Sequence, residues 1–219
     1  MFKEGMLQLL GNGIYETLYM TLISTLMSYV IGLPIGLVLV STDKEGIYPI
    51  IWLNKLLGFT VNVLRSVPFL ILLVAVMPIT KWIAGTTLGS KATIVPLVIA
   101  AGPFIARMVE SSLKEVDKGV IEAAESMGAS PLQIMFKVLL PEAKPSLLIG
   151  AAISITTILG YSAMAGIVGG GGLGAIAMNY GIYRYQKDIM FITVILLVII
   201  VQIMQEVGMK IATISDKRL

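Results

Sequence analysis

The stretch Thr17–Thr42, which reads TLYMTLISTLMSYVIGLPIGLVLVST, contains 26 consecutive residues without a charged side chain. A helix that crosses a lipid bilayer needs about 20 mostly apolar residues, so this stretch predicts a membrane-spanning helix. The composition supports the same class, because 57% of the 219 residues are hydrophobic and only 13% are charged. A soluble domain carries about 25% charged residues. The chain has too few polar side chains to cover a water-exposed surface, and we expect an integral membrane protein.

Three further apolar stretches each predict one span. Leu56–Thr80 is interrupted only by Arg65, and Ile189–Gln205 holds 17 uncharged residues. Ala92–Ala106 is shorter, with 15, but the basic residues on either side have long side chains that can reach the membrane surfaces.

The longest uncharged stretch, Pro145–Tyr183, has 39 residues and has room for one span or two. Its second half contains seven glycines, each of which costs a helix about 1 kcal/mol relative to alanine. We interpret it as one span followed by a glycine-rich turn and a short re-entrant or surface segment over residues 169–183. The predicted fold is a single all-α transmembrane domain over residues 1–219. We expect its five helices at residues 17–41, 57–80, 91–111, 145–168 and 188–209, with a cytoplasmic polar loop at residues 112–144.

The basic residues predict the orientation of these spans, because lysine and arginine are enriched in cytoplasmic loops. With the amino terminus outside, ten basic residues fall on inner segments and five on outer segments. The ten are Lys44, Lys55, Arg107, Lys114, Lys118, Lys137, Lys144, Lys210, Lys217 and Arg218, and the five are Lys3, Lys81, Lys91, Arg184 and Lys187. We therefore expect the amino terminus outside and the carboxyl terminus inside. The first ten residues show no cleavage site of small residues, so we expect no signal peptide.

The composition also excludes several kinds of chemistry. The chain has neither histidine nor cysteine, which excludes imidazole and thiolate metal sites, disulfides and nucleophiles that depend on histidine or cysteine. It also lacks the GxxxxGK[ST] loop that cradles nucleotide phosphates, so we expect no cofactor on this chain. The net charge of +3 is explained by cytoplasmic lysines and arginines, and we expect the lipid bilayer rather than nucleic acid as its surroundings.

Residues Glu110–Lys144 form the one extended polar region of the sequence. Within it, Ile121–Gly128 (IEAAESMG) favours a helix, which Asp117 can cap at its start and Gly128 can end in the left-handed conformation. A second start signal follows at Ser130–Gln133 (SPLQ), where serine caps, proline is the first helical residue and glutamine completes a capping box. The pattern predicts two short helices that meet at a glycine corner.

The second of these helices is expected to end at Pro141 and to place Leu132, Phe136, Leu139 and Leu140 on one face. On the residues alone, two interpretations of the polar loop stay open. It is either an amphipathic loop lying on the lipid surface or a rigid docking element for a cytoplasmic partner.

The spacing of this region resembles the EAA loop of bacterial ABC-importer permeases. That pattern reads Glu-Ala-Ala, three residues, Gly, nine residues, Ile, any residue, Leu-Pro, and Val138 is the single departure from it. The matching positions are Glu122, Ala123, Ala124, Gly128, Leu140 and Pro141. Other segments are similar to the methionine-uptake permeases, a short subfamily with five spans. These segments are Arg65–Phe69, Pro103–Glu110, Gly160–Gly166 and Gly169–Gly174.

The resemblance implies a permease subunit of an ATP-driven importer for D- or L-methionine in the bacterial plasma membrane. It implies as partners two copies of a cytoplasmic ABC ATPase subunit that binds ATP and Mg²⁺, and a substrate-binding lipoprotein outside. Because five spans are too few to enclose a polar path, we also expect a second copy of this chain. In this family the helix around Glu122 would enter a groove of the ATPase, while Gly128 allows the corner. Alternatively, Glu122 is a solvated helix charge.

Polar and helix-breaking residues within the spans are candidates for the translocation path or gate, since charge is costly at the bilayer centre. In the second span these are Arg65, Ser66 and Pro68, where proline disfavours helix at the preceding residue and frees a backbone carbonyl. Arg65 can instead reach the membrane surface or pair with an acid such as Glu110. In the fourth span, just before the glycine run, the candidates are Tyr161, Ser162 and Met164.

Glycine pairs with GxxxG spacing in the first and fourth spans are interpreted as helix-packing contacts. The pairs are Gly32 with Gly36, and Gly166 with Gly170.

Other functions are weighed against this one. The first alternative is an ABC permease for a different amino acid or small solute, because no residue chemistry specifies methionine. An ion-coupled secondary transporter would need an acid within a span, and none of the 13 acidic residues lies in the middle of one. An intramembrane enzyme would need histidine or a carboxylate pair.

Overall fold

The computed structural model describes residues 4–216, with only the backbone of residue 4. Three basic residues that enter the orientation argument, Lys3, Lys217 and Arg218, lie outside this range. Within it, every regular element is helical. The α-helices are α1 (Glu4–Ser41), α2 (Ile51–Ser66), α3 (Phe69–Ala75), α4 (Met77–Ala84), α5 (Ser90–Lys114), α6 (Lys118–Ser126), α7 (Pro131–Ile134), α8 (Leu140–Glu142), α9 (Lys144–Ala165), α10 (Gly172–Ile176) and α11 (Lys187–Ser215). Two π-helical segments, Met135–Leu139 and Ala177–Tyr183, and a 3₁₀ turn, Gly166–Val168, complete the helical structure.

Four helical stretches of the described chain are long and apolar enough to cross a membrane. They are Gly5–Ser41, Ser90–Lys114, Lys144–Tyr183 and Lys187–Ser215. A fifth crossing requires that α2 and α3 together form one broken span. The structure therefore confirms an all-α membrane fold with four or five spans.

The helix of the second predicted span is interrupted at Val67 and Pro68. Pro68 is extended, with φ −57° and ψ 135°, and its carbonyl accepts the first hydrogen bond of α3 from the Leu72 N–H. Proline lacks an N–H and disfavours helix at the residue before it, which explains why α2 ends at Ser66. The helix break predicted at Pro68 is present.

The described residues form two compact units. The first comprises the chain up to Met27, Val67–Ala101 and Ile155–Gln205, and the second comprises Ser28–Ser66, Gly102–Ser154 and the chain from Glu206.

In the first unit, a small core is built from Leu10 of α1, Leu173 and Ile176 of α10 and Ile189 of α11. The Gly166 backbone lies against α10 so closely that a Cβ there would be 2.3 Å from the Ala175 nitrogen. A Cβ at Gly170 would lie 2.7 Å from the Ala165 oxygen. The predicted packing role of these two glycines is therefore confirmed.

In the second unit, Leu39 of α1, Val61 of α2 and Ala106 of α5 are buried against one another. A Cβ at Gly32 would lie 2.8 Å from the Gly102 oxygen, and one at Gly36 would lie 2.7 Å from the Val109 Cβ. The predicted GxxxG contact is therefore a close approach between α1 and α5.

Two predictions for the end of the polar loop are wrong. Pro141 does not end the helical run, since α8 contains it and α9 begins at Lys144. A proline inside a helix cannot donate a hydrogen bond and clashes with the carbonyl four residues earlier. The π-helical segment Met135–Leu139 directly precedes α8, where its wider turn can accommodate this clash.

The predicted apolar face is the second error. Leu139 is buried, but Leu132 and Phe136 are exposed and Leu140 is half-buried, whereas Ile134 is buried. In a π turn, residues five apart rather than four apart lie on the same face. Ile134 and Leu139 therefore share the buried face.

Candidate functional site

The polar loop has the two capped helices that its sequence predicts. The Asp117 carboxylate accepts a 2.7 Å hydrogen bond from the Gly119 N–H at the start of α6. At the start of α7 the Ser130 hydroxyl accepts from the Gln133 N–H, and the Gln133 side chain accepts from the Ser130 N–H. Both caps satisfy N–H groups that a helix start leaves free.

Gly128 makes the corner between these helices. Its φ is +76°, in the left-handed region that favours glycine. Its N–H donates to the Glu125 oxygen and the next N–H, of Ala129, donates to the Ala124 oxygen, at 2.9 and 3.1 Å. The predicted glycine corner is therefore present.

The EAA residues divide between an exposed and a buried side of the loop. Glu122, Ala123 and Gly128 are exposed, whereas Ala124 is buried. At the far end, Leu140 is half-buried and Pro141 is exposed.

Large apolar side chains are also exposed on this loop, among its charges. Met127 is 81% exposed, Leu132 67% and Phe136 57%. Exposed apolar groups rimmed by polar residues are typical of an interaction surface. We call these three side chains, with Glu122, Ala123 and Gly128, the docking surface.

A charged network lies beside the polar loop in the second unit. Glu110 of α5 is almost buried and pairs with Arg107 and, at 3.0 Å, with Lys114. Lys114 also pairs at 2.7 Å with Asp43, in the loop between α1 and α2. Two residues further along that loop, Glu45 pairs with Lys118 of α6.

Arg107 connects this network to α2. Its Nη2 donates to the Gly58 carbonyl oxygen and to Asn62 Oδ1, each at 3.0 Å. The sequence left open a pair between Arg65 and Glu110, but Glu110 pairs with Arg107 and Lys114 instead. Both actual partners lie within four residues of Glu110 on the same helix, a spacing at which side chains of a helix meet.

The ion pairs outside the spans shift the pKa values of their members. The hydrogen bond from Lys114, together with the Lys44 N–H, holds the pKa of the Asp43 carboxyl below its ordinary value. The hydrogen bond from Lys118 lowers the pKa of Glu45, and that pairing raises the pKa of Lys118. All three groups are therefore charged at neutral pH.

A cavity of about 650 Å³ separates α6 from the loop between α1 and α2. Asp43, Glu45, Glu122 and Glu125 line it together with Lys114 and Lys118. The cavity therefore carries more acidic than basic groups.

The path candidates differ in exposure. Arg65 and Ser66 are exposed at the end of α2, where the Ser66 hydroxyl donates to the Asn62 oxygen. Pro68 and Met164 are also exposed. The described chain leaves these four side chains accessible to a solute or to lipid.

Tyr161 and Ser162 are less accessible. The Tyr161 ring stacks on Phe69, the first residue of α3, with ring centroids 4.6 Å apart and an interplanar angle of 5°. Ser162 is 1% exposed and its hydroxyl donates to the Leu159 oxygen of its own helix. Ser162 is therefore packed within the first unit, while Tyr161 supports the start of α3.

The sequence did not predict how the glycine run is held. The Glu16 carboxylate accepts a 2.6 Å hydrogen bond from the Gly172 N–H, and the Thr17 hydroxyl accepts from the Leu173 N–H at 2.9 Å. The Thr93 hydroxyl of α5 also donates to the Gly170 carbonyl oxygen. We call Gly169–Gly172 the glycine turn. The one feature of the sequence that points to this contact is Glu16, an acidic residue directly before the uncharged stretch Thr17–Thr42.

Residues 5–216 contain no group of three or more acidic side chains arranged to hold a metal ion.

Comparisons with known proteins agree on one family. The profile described as binding-protein-dependent transport system inner membrane component matches residues 28–219. The probable D-methionine transport system permease protein MetI of Vibrio cholerae is 55% identical over 173 residues, which cover 79% of this chain and 77% of that protein. The methionine import system permease protein MetP of Bacillus subtilis is 47% identical over 209 residues, covering 95% of this chain and 94% of that protein.

A solved structure agrees with these relatives. It is described as inward facing conformations of the MetNI methionine ABC transporter, and one of its chains matches with a TM-score of 0.97 and 46% identity. The match covers 99% of this chain and 100% of that chain.

Proposed function

Because the chain belongs to the family of binding-protein-dependent transport system inner membrane components, we propose that it is the membrane-spanning permease of a methionine ABC importer. The observation that carries the substrate is the 47% identity to a methionine import permease over 95% of this chain. The chain is a transport subunit of the bacterial plasma membrane, and ATP hydrolysis belongs to a separate ATPase subunit. The prediction of an ABC permease rather than an ion-coupled transporter or an enzyme is therefore confirmed.

For the finer assembly, we propose two copies of this chain with two ATPase subunits that bind ATP and Mg²⁺. A substrate-binding lipoprotein would deliver D- or L-methionine from outside. With five spans, α2 and α3 forming one broken span, the two termini lie on opposite sides of the membrane, and we propose the amino terminus outside and the polar loop inside. The excess of basic residues on the segments that this topology places inside supports it.

The docking surface is proposed to enter a groove of the ATPase. Its exposed apolar side chains would lose contact with water on docking, and Glu122 can accept a hydrogen bond from a basic or amide group. Ala123 keeps α6 narrow at the surface, and Ala124 is buried behind it. Leu140, which is half-buried, and Pro141, which is exposed, are proposed as the far end of the element that docks.

For the translocation path, we propose that Arg65, Ser66, Pro68 and Met164 face the solute, since these side chains are exposed. Tyr161 is proposed as a gate residue that acts through its stacking on Phe69. For Ser162 the buried hydroxyl favours packing within the gate over contact with substrate.

Uptake measurements test the proposed function. In bacterial cells that lack this chain and other methionine uptake systems, we expect labelled D- or L-methionine to enter only when the chain and its ATPase are both expressed. An excess of unlabelled methionine should compete, whereas other amino acids should not. Equal uptake with and without the chain would contradict the assignment, and competition by a different solute would replace methionine as the substrate.

A further inference from the structure

The loop between α1 and α2, residues Thr42–Ile50, has no role in the function described so far. Its backbone is compact, since the Gly46 N–H donates to the Asp43 oxygen and the Tyr48 N–H donates to the Ser41 oxygen, both at 2.9 Å. A Cβ at Gly46 would lie 2.5 Å from the Val40 and Ser41 oxygens. The loop is therefore tightly folded against the end of α1.

Two acids of this loop reach two different helices. Asp43 pairs with Lys114 at the end of α5, and Glu45 pairs with Lys118 at the start of α6. The loop therefore joins the helix that carries Glu122 to the helix that carries Glu110.

Hydrogen bonds also join α2 to this arrangement. Arg107 of α5 donates to Gly58 and Asn62, and the Asn54 side chain donates to the Leu39 oxygen of α1 at 2.6 Å. All these groups belong to the second compact unit, which includes α2 up to Ser66. A continuous series of contacts therefore runs from α6 to the last residue of α2.

We propose that the loop Thr42–Ile50 is a strut that makes α6, the inner end of α5 and α2 move as one body when the ATPase displaces α6. Four residues are then positioning residues for transport, because they make Arg65 and Ser66 move together with the docking surface. They are Asp43, Arg107, Glu110 and Lys114. This inference rests on the proposed function, since it assumes an ATPase that acts on α6.

The two ends of the strut differ in strength. The Glu110 side chain is 10% exposed and pairs with two cations, so removal of one partner leaves a charge in a poorly hydrated place. Glu45 and Lys118 are about three-quarters exposed, and such a pair is weak and screened by salt. The Glu45–Lys118 pair therefore fixes where α6 lies against the loop, and the pairs of Glu110 with Arg107 and Lys114 make the arrangement rigid.

Crosslinking tests whether the loop and α6 move together. The chain has no cysteine, so Glu45→Cys with Lys118→Cys introduces the only two thiols of the permease. In vesicles that contain the whole transporter, a short reducible dithiol-specific crosslinker replaces the lost ion pair, so methionine transport should rise or stay above about half of the untreated rate. If crosslinking stops transport and reduction restores it, while the single variant Glu45→Cys is unaffected, the two elements separate in each cycle and the inference is wrong.

Charge exchange provides a second test. Glu45→Lys and Lys118→Glu should each lower the methionine transported per ATP hydrolysed by roughly two- to fivefold, the range expected from breaking an exposed ion pair. The double exchange should restore the ratio, since it restores the pair. Lys44→Glu is the matched control, because Lys44 is exposed in the same loop and its reversal breaks no ion pair among the described residues.

The ratio of transport to hydrolysis distinguishes the strut from a merely stabilising role, which would lower the amount of assembled transporter and leave the ratio unchanged. Unchanged ratios in the single reversals, or no rescue in the double exchange, would overturn the inference while wild-type transport continues. Absence of methionine transport by the wild-type protein would instead overturn the proposed function.

Discussion

Glycines with positive φ occur both in the glycine turn and at the corner of the polar loop, but their surroundings are opposite. A Cβ at Gly171 would lie 2.7 Å from Glu16 Oε2, and one at Gly172 would lie 2.7 Å from Thr17 Oγ1. At Gly128, no atom lies within 4 Å of such a Cβ. In the turn, glycine is required for backbone handedness and for space, whereas at the corner it is required for handedness alone.

The difference follows from how each region satisfies its backbone N–H groups. Buried backbone N–H groups must find hydrogen-bond partners inside the protein, and Gly172 and Leu173 are buried. In the turn, the missing side chains let Glu16 and Thr17 of α1 approach the N–H groups of Gly172 and Leu173. The corner is exposed, and its helices are capped by neighbours such as Asp117 and Ser130. Close packing between segments distant in sequence therefore stabilises the glycine turn, and local capping stabilises the corner of the polar loop.

The largest effect is expected where a glycine contacts backbone atoms. A Cβ at Gly174 would lie 2.2 Å from the Ala163 oxygen, and that oxygen belongs to α9 and cannot rotate away. Gly174→Ala should lower the free energy of unfolding by more than about 3 kcal/mol, measured by denaturation of the purified protein in detergent. The control is Gly160→Ala on α9, where no atom lies within 4 Å of the new methyl group. Equal stability of the two variants would contradict the close packing of α9 and α10.

An intermediate effect is expected at Glu16. Glu16→Ala leaves the Gly172 N–H without its partner, which should cost about 1–3 kcal/mol of stability. Glu16→Gln keeps an acceptor oxygen at the same reach, so it should recover most of the loss. The same denaturation measurement checks both variants. If glutamine is no better than alanine, the negative charge rather than the hydrogen bond holds the turn.

The smallest effect is expected at Gly128. Gly128→Ala should cost about 1–2 kcal/mol, from left-handed strain alone. Gly128→Asn should cost less, because asparagine tolerates this conformation. Recovery of the ATPase subunit on the tagged permease, measured beside stability, should fall in the same order. A loss at Gly128 as large as at Gly174 would show that the corner is covered by other atoms in the assembled transporter.

Local signals in the sequence predicted the helix caps and the glycine corner of the polar loop. Asp117, Ser130 and Gln133 act on groups two or three residues away, so spacing alone identifies them. The break at Pro68 has the same local origin.

Other features depend on distant or unusual geometry, which spacing cannot show. The partners in the hydrogen bond between Glu16 and Gly172 are 156 residues apart. The prediction of the apolar face of the second loop helix was wrong, because helical periodicity assumes about 3.6 residues per turn and the segment Met135–Leu139 is π-helical. The sequence left open a pair between Arg65 and Glu110, and the structure pairs Glu110 with Arg107 and Lys114, three and four residues away on its own helix.

The π-helical segment determines how the length of the EAA pattern affects the rotation of its Leu-Pro end. Each residue of an α-helix turns the chain by about 100°, and a π turn holds one residue more than an α turn. The eleven residues between Gly128 and Leu140, with the π turn among them, therefore set the direction in which Leu140 and Pro141 point. Loss of one residue within Met135–Leu139 would convert the π turn to an α turn and leave the Leu-Pro end facing nearly the same way, whereas loss of a residue from an α-helical part would turn that end by about a quarter of a revolution. Related chains with a gap in the α-helical part of this loop would share its composition but present a different surface.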